Sequence, residues 1–241
     1  MVLMRLENVA FRYRRRDPWV FKGVTLSLAG GSVTEVTGHN GVGKSTLLRV
    51  IAGLRRPRAG VVKDRPARVG YAPERFPVDQ PFSVRTYLCH MAAMRRVPAD
   101  AVGEWAERLA FDHLLEVRLP ELSKGSAQKV GIAQALMADP ELLILDEPFA
   151  GLDTATRDAL PELISGIAAG GATVVVSDHQ RCIEDMPGIG RLHMADGAVA
   201  RLSSAGRTEW AVLEVEVPGD EADTLETKLR ADGYRVRRRA G

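Results

Sequence analysis

The 241-residue sequence lacks any run approaching the ~18 consecutive apolar residues that a membrane-spanning helix needs. Its first residues, Met1-Val2-Leu3-Met4-Arg5-Leu6-Glu7, lack the long apolar region of a secretory signal and carry an acid early. A cytoplasmic chain is the expectation. Charge of one sign is also missing: the net value is +2, too small to suggest a nucleic-acid partner by itself. Cysteine is scarce, and Cys89 and Cys182 lie far apart with no metal-type spacing. They read as reduced thiols in half-buried helices.

What is present is ordinary for a globular protein, with 45% hydrophobic and 27% charged residues. The length suits one large domain, or one domain with a small appendage. Two basic clusters stand out, Arg14-Arg15-Arg16 and Arg235-Val236-Arg237-Arg238-Arg239. Either could meet phosphate or an anionic lipid surface. Without aromatic residues interleaved, a solvated loop and a solvated tail are the simpler readings.

Apolar alternation predicts strands over Leu3 to Phe11 and Val24 to Leu28, joined by the polar stretch Arg14 to Pro18. Val33 to Thr37 is a β-branched strand running into a glycine-rich loop. Leu47, Leu48, Ile51 and Leu54 then recur at helical spacing, and Pro57 to Gly60 supplies the turn that ends the helix. Val69 to Ala72 is a short strand, and Pro73 to about Pro81 is loop. From about Ser83 to Lys124 strand-like runs vanish. Val84 to Arg96 and Asp100 to Leu115 are expected to be helical. Buried strands return at Leu142 to Leu145 and Thr173 to Val176, separated by a helix from Thr154 to Ala169 that carries Pro161, a residue able to kink it. Alternating strand and helix is the α/β pattern. Past Gly206 a small appended module is expected: a strand over Trp210 to Val217, a helix over Asp220 to Ala231 and a strand over Tyr234 to Arg238.

Gly38-His39-Asn40-Gly41-Val42-Gly43-Lys44-Ser45 satisfies the phosphate-loop pattern G-x-x-x-x-G-K-[ST], between a predicted strand and a predicted helix. Such a loop turns successive N–H groups toward a polyphosphate, and the helix that follows, with Thr46 in its first turn, adds the positive end of its dipole. Lys44 is expected to reach the β- and γ-phosphates of ATP, and the Ser45 hydroxyl to bind Mg²⁺. Leu142-Leu143-Ile144-Leu145-Asp146-Glu147 delivers two carboxylates at the end of a buried strand, where ligands of open α/β sheets bind. Asp146 is expected to hold Mg²⁺ through water, and Glu147 to polarise an attacking water as general base.

With these motifs in this order, residues 1 to about 205 resemble the nucleotide-binding domain of the ABC ATPase family. The resemblance implies an α/β P-loop NTPase (RecA-like) core with N-terminal antiparallel β strands and a helical subdomain inserted at about residues 76–128. Residues 206–241 are left as the appended module. Tyr13 falls where the family places an aromatic residue that stacks on adenine; packing on the sheet is the alternative. Leu122-Ser123-Lys124-Gly125-Ser126, continued by Gln128-Lys129, resembles the family signature LSGGQ. The resemblance implies that Ser123 and Gly125 reach the γ-phosphate held by a second subunit, although Ser123 also suits a plain helix cap. Ala150-Gly151-Leu152-Asp153 resembles the D-loop, and His179 the switch histidine that contacts the γ-phosphate and the attacking water.

Two departures stand out. Glu74 occupies the position usual for the Q-loop glutamine, where it would still offer an oxygen to Mg²⁺ but adds negative charge. Lys124 replaces the first signature glycine and Ser126 the glutamine. Phe76, Phe82, Val84 and Tyr87 are candidates for an apolar groove facing a membrane partner, or equally for packing inside the helical insertion.

The family implies an ATP- and Mg²⁺-dependent ATPase driving a membrane transporter by dimer closure. Its partners would be transmembrane permease subunits and a second ATP-binding subunit, with no nucleic acid. It would sit on the inner face of the cell membrane. Glu74 and the altered signature lean toward export. The competing reading is an ABC ATPase acting on the ribosome or DNA, but the second cassette, coiled coils or zinc insertions of those types are missing.

Overall fold

The computed structural model describes residues 2–202, 222–223 and 225–226. The chain divides into two compact units, residues 1–205 and 206–241. The strands expected over 210–217 and 234–238 lie outside the described residues. So does the helix expected over 220–231, apart from Ala222, Asp223, Leu225 and Glu226, which are helical.

The first unit holds two sheets. Strands β1 (Val2–Phe11), β2 (Phe21–Ala29) and β4 (Ala59–Lys63) form an antiparallel sheet in the order β2-β1-β4. The second sheet runs β5 (Val69–Ala72), β6 (Leu142–Asp146), β7 (Thr173–Ser177), β3 (Val33–Thr37), β8 (Gly190–Ala195) and β9 (Ala198–Leu202). All its pairs are parallel except β8 with β9.

β6 and β7 are buried along their whole length, as expected of central parallel strands covered on both faces. Alternate residues feed two cores. Leu143, Leu145, Val174 and Val176 pack with α2 (Val84–Arg95), α3 (Asp100–Arg108), α4 (Lys124–Leu136) and α5 (Thr154–Ala169). Leu142, Ile144, Val36 and Val175 pack with α1 (Lys44–Ile51) and the antiparallel sheet. This two-sided burial follows from the period-2 alternation of side chains on a strand.

Several expectations need correction. β4 lies where only a turn was read; Gly60, at φ 74°, sits against the backbone of Asn8, and an added Cβ would collide with it. α1 stops at Ile51, so Leu54 falls beyond it and is exposed. α3 ends at Arg108 rather than Leu115, because Ala110 takes a left-handed backbone (φ 52°) that breaks the helical run before a short 3₁₀ turn, Asp112–Leu114. Cys182 lies in a turn, not a helix. α5 has the bounds expected, Thr154–Ala169, with Pro161 inside it. Of the groove candidates, Phe76, Val84 and Tyr87 are buried in the core and Phe76 meets Tyr87 edge-on; Phe82 is half-buried against His90.

Candidate active site at the strand ends

The loop between β3 and α1 depends on its glycines. Gly43, the residue before α1, has φ 111°, and an added Cβ would collide with Val20. Gly38 has φ 143°, and its Cβ would stand 2.5 Å from the Met194 carbonyl oxygen. Only glycine meets both demands. His39, Asn40 and Gly41 form the exposed crest, with His39 Nδ1 against the Asn40 carbonyl (2.9 Å), while Val42 is buried. Lys44, itself buried, folds its ammonium back under the loop. It donates to Gly38 O (2.9 Å) and His39 O (3.5 Å), and lies 4.0 Å from Glu147 Oε1.

Behind the loop stands Asp146, fully buried. Its Oδ1 accepts from Ser45 Oγ and Ser177 Oγ, both at 3.0 Å, and its Oδ2 from Tyr71 Oη at 3.2 Å. Burial pushes this carboxyl above its ordinary range, and the three hydroxyl donors pull the other way. The Arg49 guanidinium of α1 stands beside the Tyr71 hydroxyl. Burial, then the neighbouring Asp146 charge, pushes the Tyr71 phenol up to about 12. It therefore stays a proton donor at neutral pH.

The next residue turns away. Glu147 has a left-handed backbone (φ 53°), and its N–H donates to both Ser177 O and Ser177 Oγ. For a non-glycine residue such a conformation is strained, and strain of this kind clusters at functional sites. Its carboxylate accepts from the His179 backbone N–H (3.1 Å) and meets His179 Nδ1 in a short hydrogen bond. Asp178, buried beneath, accepts from the N–H groups of Gln180, Cys182 and Ile183 and so shapes the turn that presents His179. Burial raises the Asp178 carboxyl against those donors.

Tyr13 is half-exposed beside α1. Its hydroxyl shares a hydrogen bond with Thr46 Oγ1 (2.7 Å), its ring packs edge-on against Phe11, and Arg58 donates to its carbonyl. Glu74 is exposed, and among the described residues no hydrogen bond or ion pair joins it to Ser45 or Asp146.

The other expected phosphate contacts sit apart, where α4 begins. Ser123 caps α4, its Oγ accepting from Ser126 N at 3.1 Å. Gly125 has no left-handed backbone; it is needed for space, because an added Cβ would collide with the Gly151 carbonyl. Lys124 opens the helix with an exposed side chain and an ordinary helical backbone, so glycine's freedom is not required there. Lys129 donates to Asp153 (2.7 Å), which caps α5 through Thr156 N (2.9 Å). The Lys129 hydrogen bond, then the Thr156 N–H, holds the Asp153 carboxyl well below the usual range. Among the described residues, no hydrogen bond or ion pair joins Ser123 or Gly125 to the phosphate loop.

Ser45 and Asp146 present only oxygen atoms, the donor type that Mg²⁺ prefers. Among the described residues no group of three His, Cys, Asp or Glu could hold a metal by itself. That suits an ion held by one or two protein oxygens and by the phosphates of its substrate. The loop fits a polyphosphate, since Gly38 and Gly43 admit no side chain and the loop leads into a helix N-terminus.

The family model described as ABC transporter matches residues 21–150 of this chain. The chain belongs to the ABC transporter family, among its ATP-binding subunits. A zinc import ATP-binding protein from Paramagnetospirillum magneticum is 39% identical over 170 residues, covering 70% of this chain and 64% of that protein. Another, from Cereibacter sphaeroides, is 37% identical over 181 residues, covering 74% of this chain and 73% of that protein. The chain thus spans just under two thirds of the first relative's length. A metal-chelate type ABC transporter in an inward-facing conformation has the same fold, with a TM-score of 0.70, 25% identity and 83% of each chain covered. Among the described residues no helix is long and apolar enough to cross a membrane.

Sequence reasoning missed Tyr71, Arg49, Ser177 and Asp178. Tyr71 and Ser177 meet the site across a strand register, Arg49 by the packing of α1 on the sheet, and Asp178 through a backbone turn, none of which a local motif spells out.

Proposed function

We propose that this chain is the ATP-hydrolysing subunit of an ABC importer for a metal cation, working as one of a pair of ATP-binding subunits on a transmembrane permease. The observation that carries the ATPase reading is the convergence of Lys44, Ser45, Asp146, Glu147 and His179 on one point at the C-terminal ends of parallel strands. The import reading rests on the relatives, whose names are those of zinc import subunits. The lean toward export taken from Glu74 and the signature finds no support among them.

In this reading, the loop N–H groups and Lys44 hold the β- and γ-phosphates of ATP, and Tyr13 offers a ring edge or face to the base. Ser45 and Asp146 would hold Mg²⁺, which would supply positive charge against the negative charge on the phosphates. Glu147, with its carboxylate anchored by His179 N–H, accepts a proton from the attacking water. His179 keeps that carboxylate oriented and can offer a hydrogen bond to the γ-phosphate. Ser123 and Gly125, which among the described residues make no hydrogen bond to their own phosphate loop, would complete the site of a second subunit. The chain would then lie on the inner face of the membrane only through its permease.

Affinity purification of the tagged chain from detergent-solubilised cells tests the reading. A stoichiometric complex with a membrane protein, and reduced metal-ion uptake when the gene is deleted, are the expected results. Recovery with ribosomes or DNA and no membrane protein would overturn it.

A further inference from the structure

Tyr71 is used by none of the motifs, yet it contacts the most buried carboxylate of the site. It lies on β5, opposite Ile144 of β6 in the parallel register, so its side chain shares a sheet face with Ile144 and Asp146. There its hydroxyl donates to Asp146 Oδ2 (3.2 Å), with the Arg49 guanidinium of α1 beside it. Ser45 and Ser177 both occupy Oδ1. A carboxylate offers about four lone-pair positions, so three are taken and the fourth lies on the oxygen that Tyr71 holds.

We infer that Tyr71 is a positioning residue that fixes the rotation of the Asp146 carboxylate and so sets how strongly the site holds its divalent cation. The two serines alone share one oxygen and leave the carboxylate free to swing about it. The Tyr71 hydrogen bond removes that freedom from the other side. Partners of metal-holding carboxylates act in this way, and their loss costs about 10–100-fold in metal affinity. Tyr71 also stands two residues before the loop that follows β5 and leads to α2. The carboxylate is thereby tied to the entry of the helical insertion.

The inference rests on Asp146 as the cation's carboxylate, and the test separates the two. Mn²⁺ is titrated into the full-length chain with ADP and followed by electron paramagnetic resonance, for wild type, Tyr71→Phe and Asp146→Asn. ADP affinity in EDTA and thermal melting are measured alongside. Tyr71→Phe keeps the ring, and its Mn²⁺ affinity is expected to fall about tenfold while metal-free ADP affinity stays unchanged. A purely structural tyrosine would lower the melting temperature and leave Mn²⁺ affinity alone, which would overturn the inference. If Asp146→Asn also leaves Mn²⁺ affinity intact, the metal reading of Asp146 fails and the Tyr71 role fails with it.

Discussion

The strand-end centre and the corner where α4 begins both sit at a helix N-terminus, yet they use their polar groups differently. At the strand ends, side chain meets side chain: Ser45, Ser177 and Tyr71 converge on Asp146, His179 on Glu147, and Lys44 approaches Glu147 from the loop. Most of these groups are buried, so each orients the next in a low-dielectric setting. At the α4 corner, Ser123 and Asp153 cap helices and Lys129 ties α4 to α5. In the proposed reading the first region does chemistry on a bound triphosphate, and the second presents a helix end to the site of another subunit.

The sharpest way to break that contrast is Glu147→Gln. It preserves shape but removes the proton acceptor, so ATP turnover should fall about a hundredfold to ten-thousandfold with ATP binding retained. Turnover is read by phosphate release.

At the other corner, substitutions should act on stability first. Gly125→Ala drives a methyl group into the Gly151 carbonyl and is expected to cost about 1–3 kcal/mol. Lys124→Gly, one residue earlier, should cost no more than about 1 kcal/mol, since only helix propensity changes. Thermal melting of the two variants distinguishes steric need from backbone freedom. Equal losses would mean that close packing on Gly151 is not what fixes Gly125.

A smaller effect concerns Asp153. Its carboxyl is held below its ordinary range by Lys129, so its stabilisation is fully present above about pH 4, the unfolded value, and fades as pH falls toward the lower folded one. Asp153→Ala should therefore cost about 1 kcal/mol at pH 7, through the lost cap, and progressively less in acid. Denaturant melts at several pH values read this difference.

The two regions also differed in how legible they were. The phosphate loop and the strand Leu142 to Leu145 were plain in sequence because their signals are local: glycine spacing, and an unbroken apolar run ending in acids. The capping role of Ser123 was also readable, being a relation between residues three apart. The steric demand on Gly125 was not, because the group it meets, Gly151, is brought in by tertiary packing. Tyr71 and Asp146 are 75 positions apart and meet only through the register of β5 on β6. β4 and β9 escaped notice because they are mostly exposed and carry no core alternation. Asp178 works through backbone N–H groups, which every residue has and no motif displays.

The most direct test of the division between the two regions is ATP affinity, measured side by side for Lys44→Ala and Ser123→Ala in the isolated full-length chain. The account predicts that Lys44→Ala weakens ATP binding about a hundredfold, the scale of losing charge-assisted hydrogen bonds, while Ser123→Ala binds ATP as the wild type does. Wild-type affinity in Lys44→Ala, or an equal loss in Ser123→Ala, would contradict it.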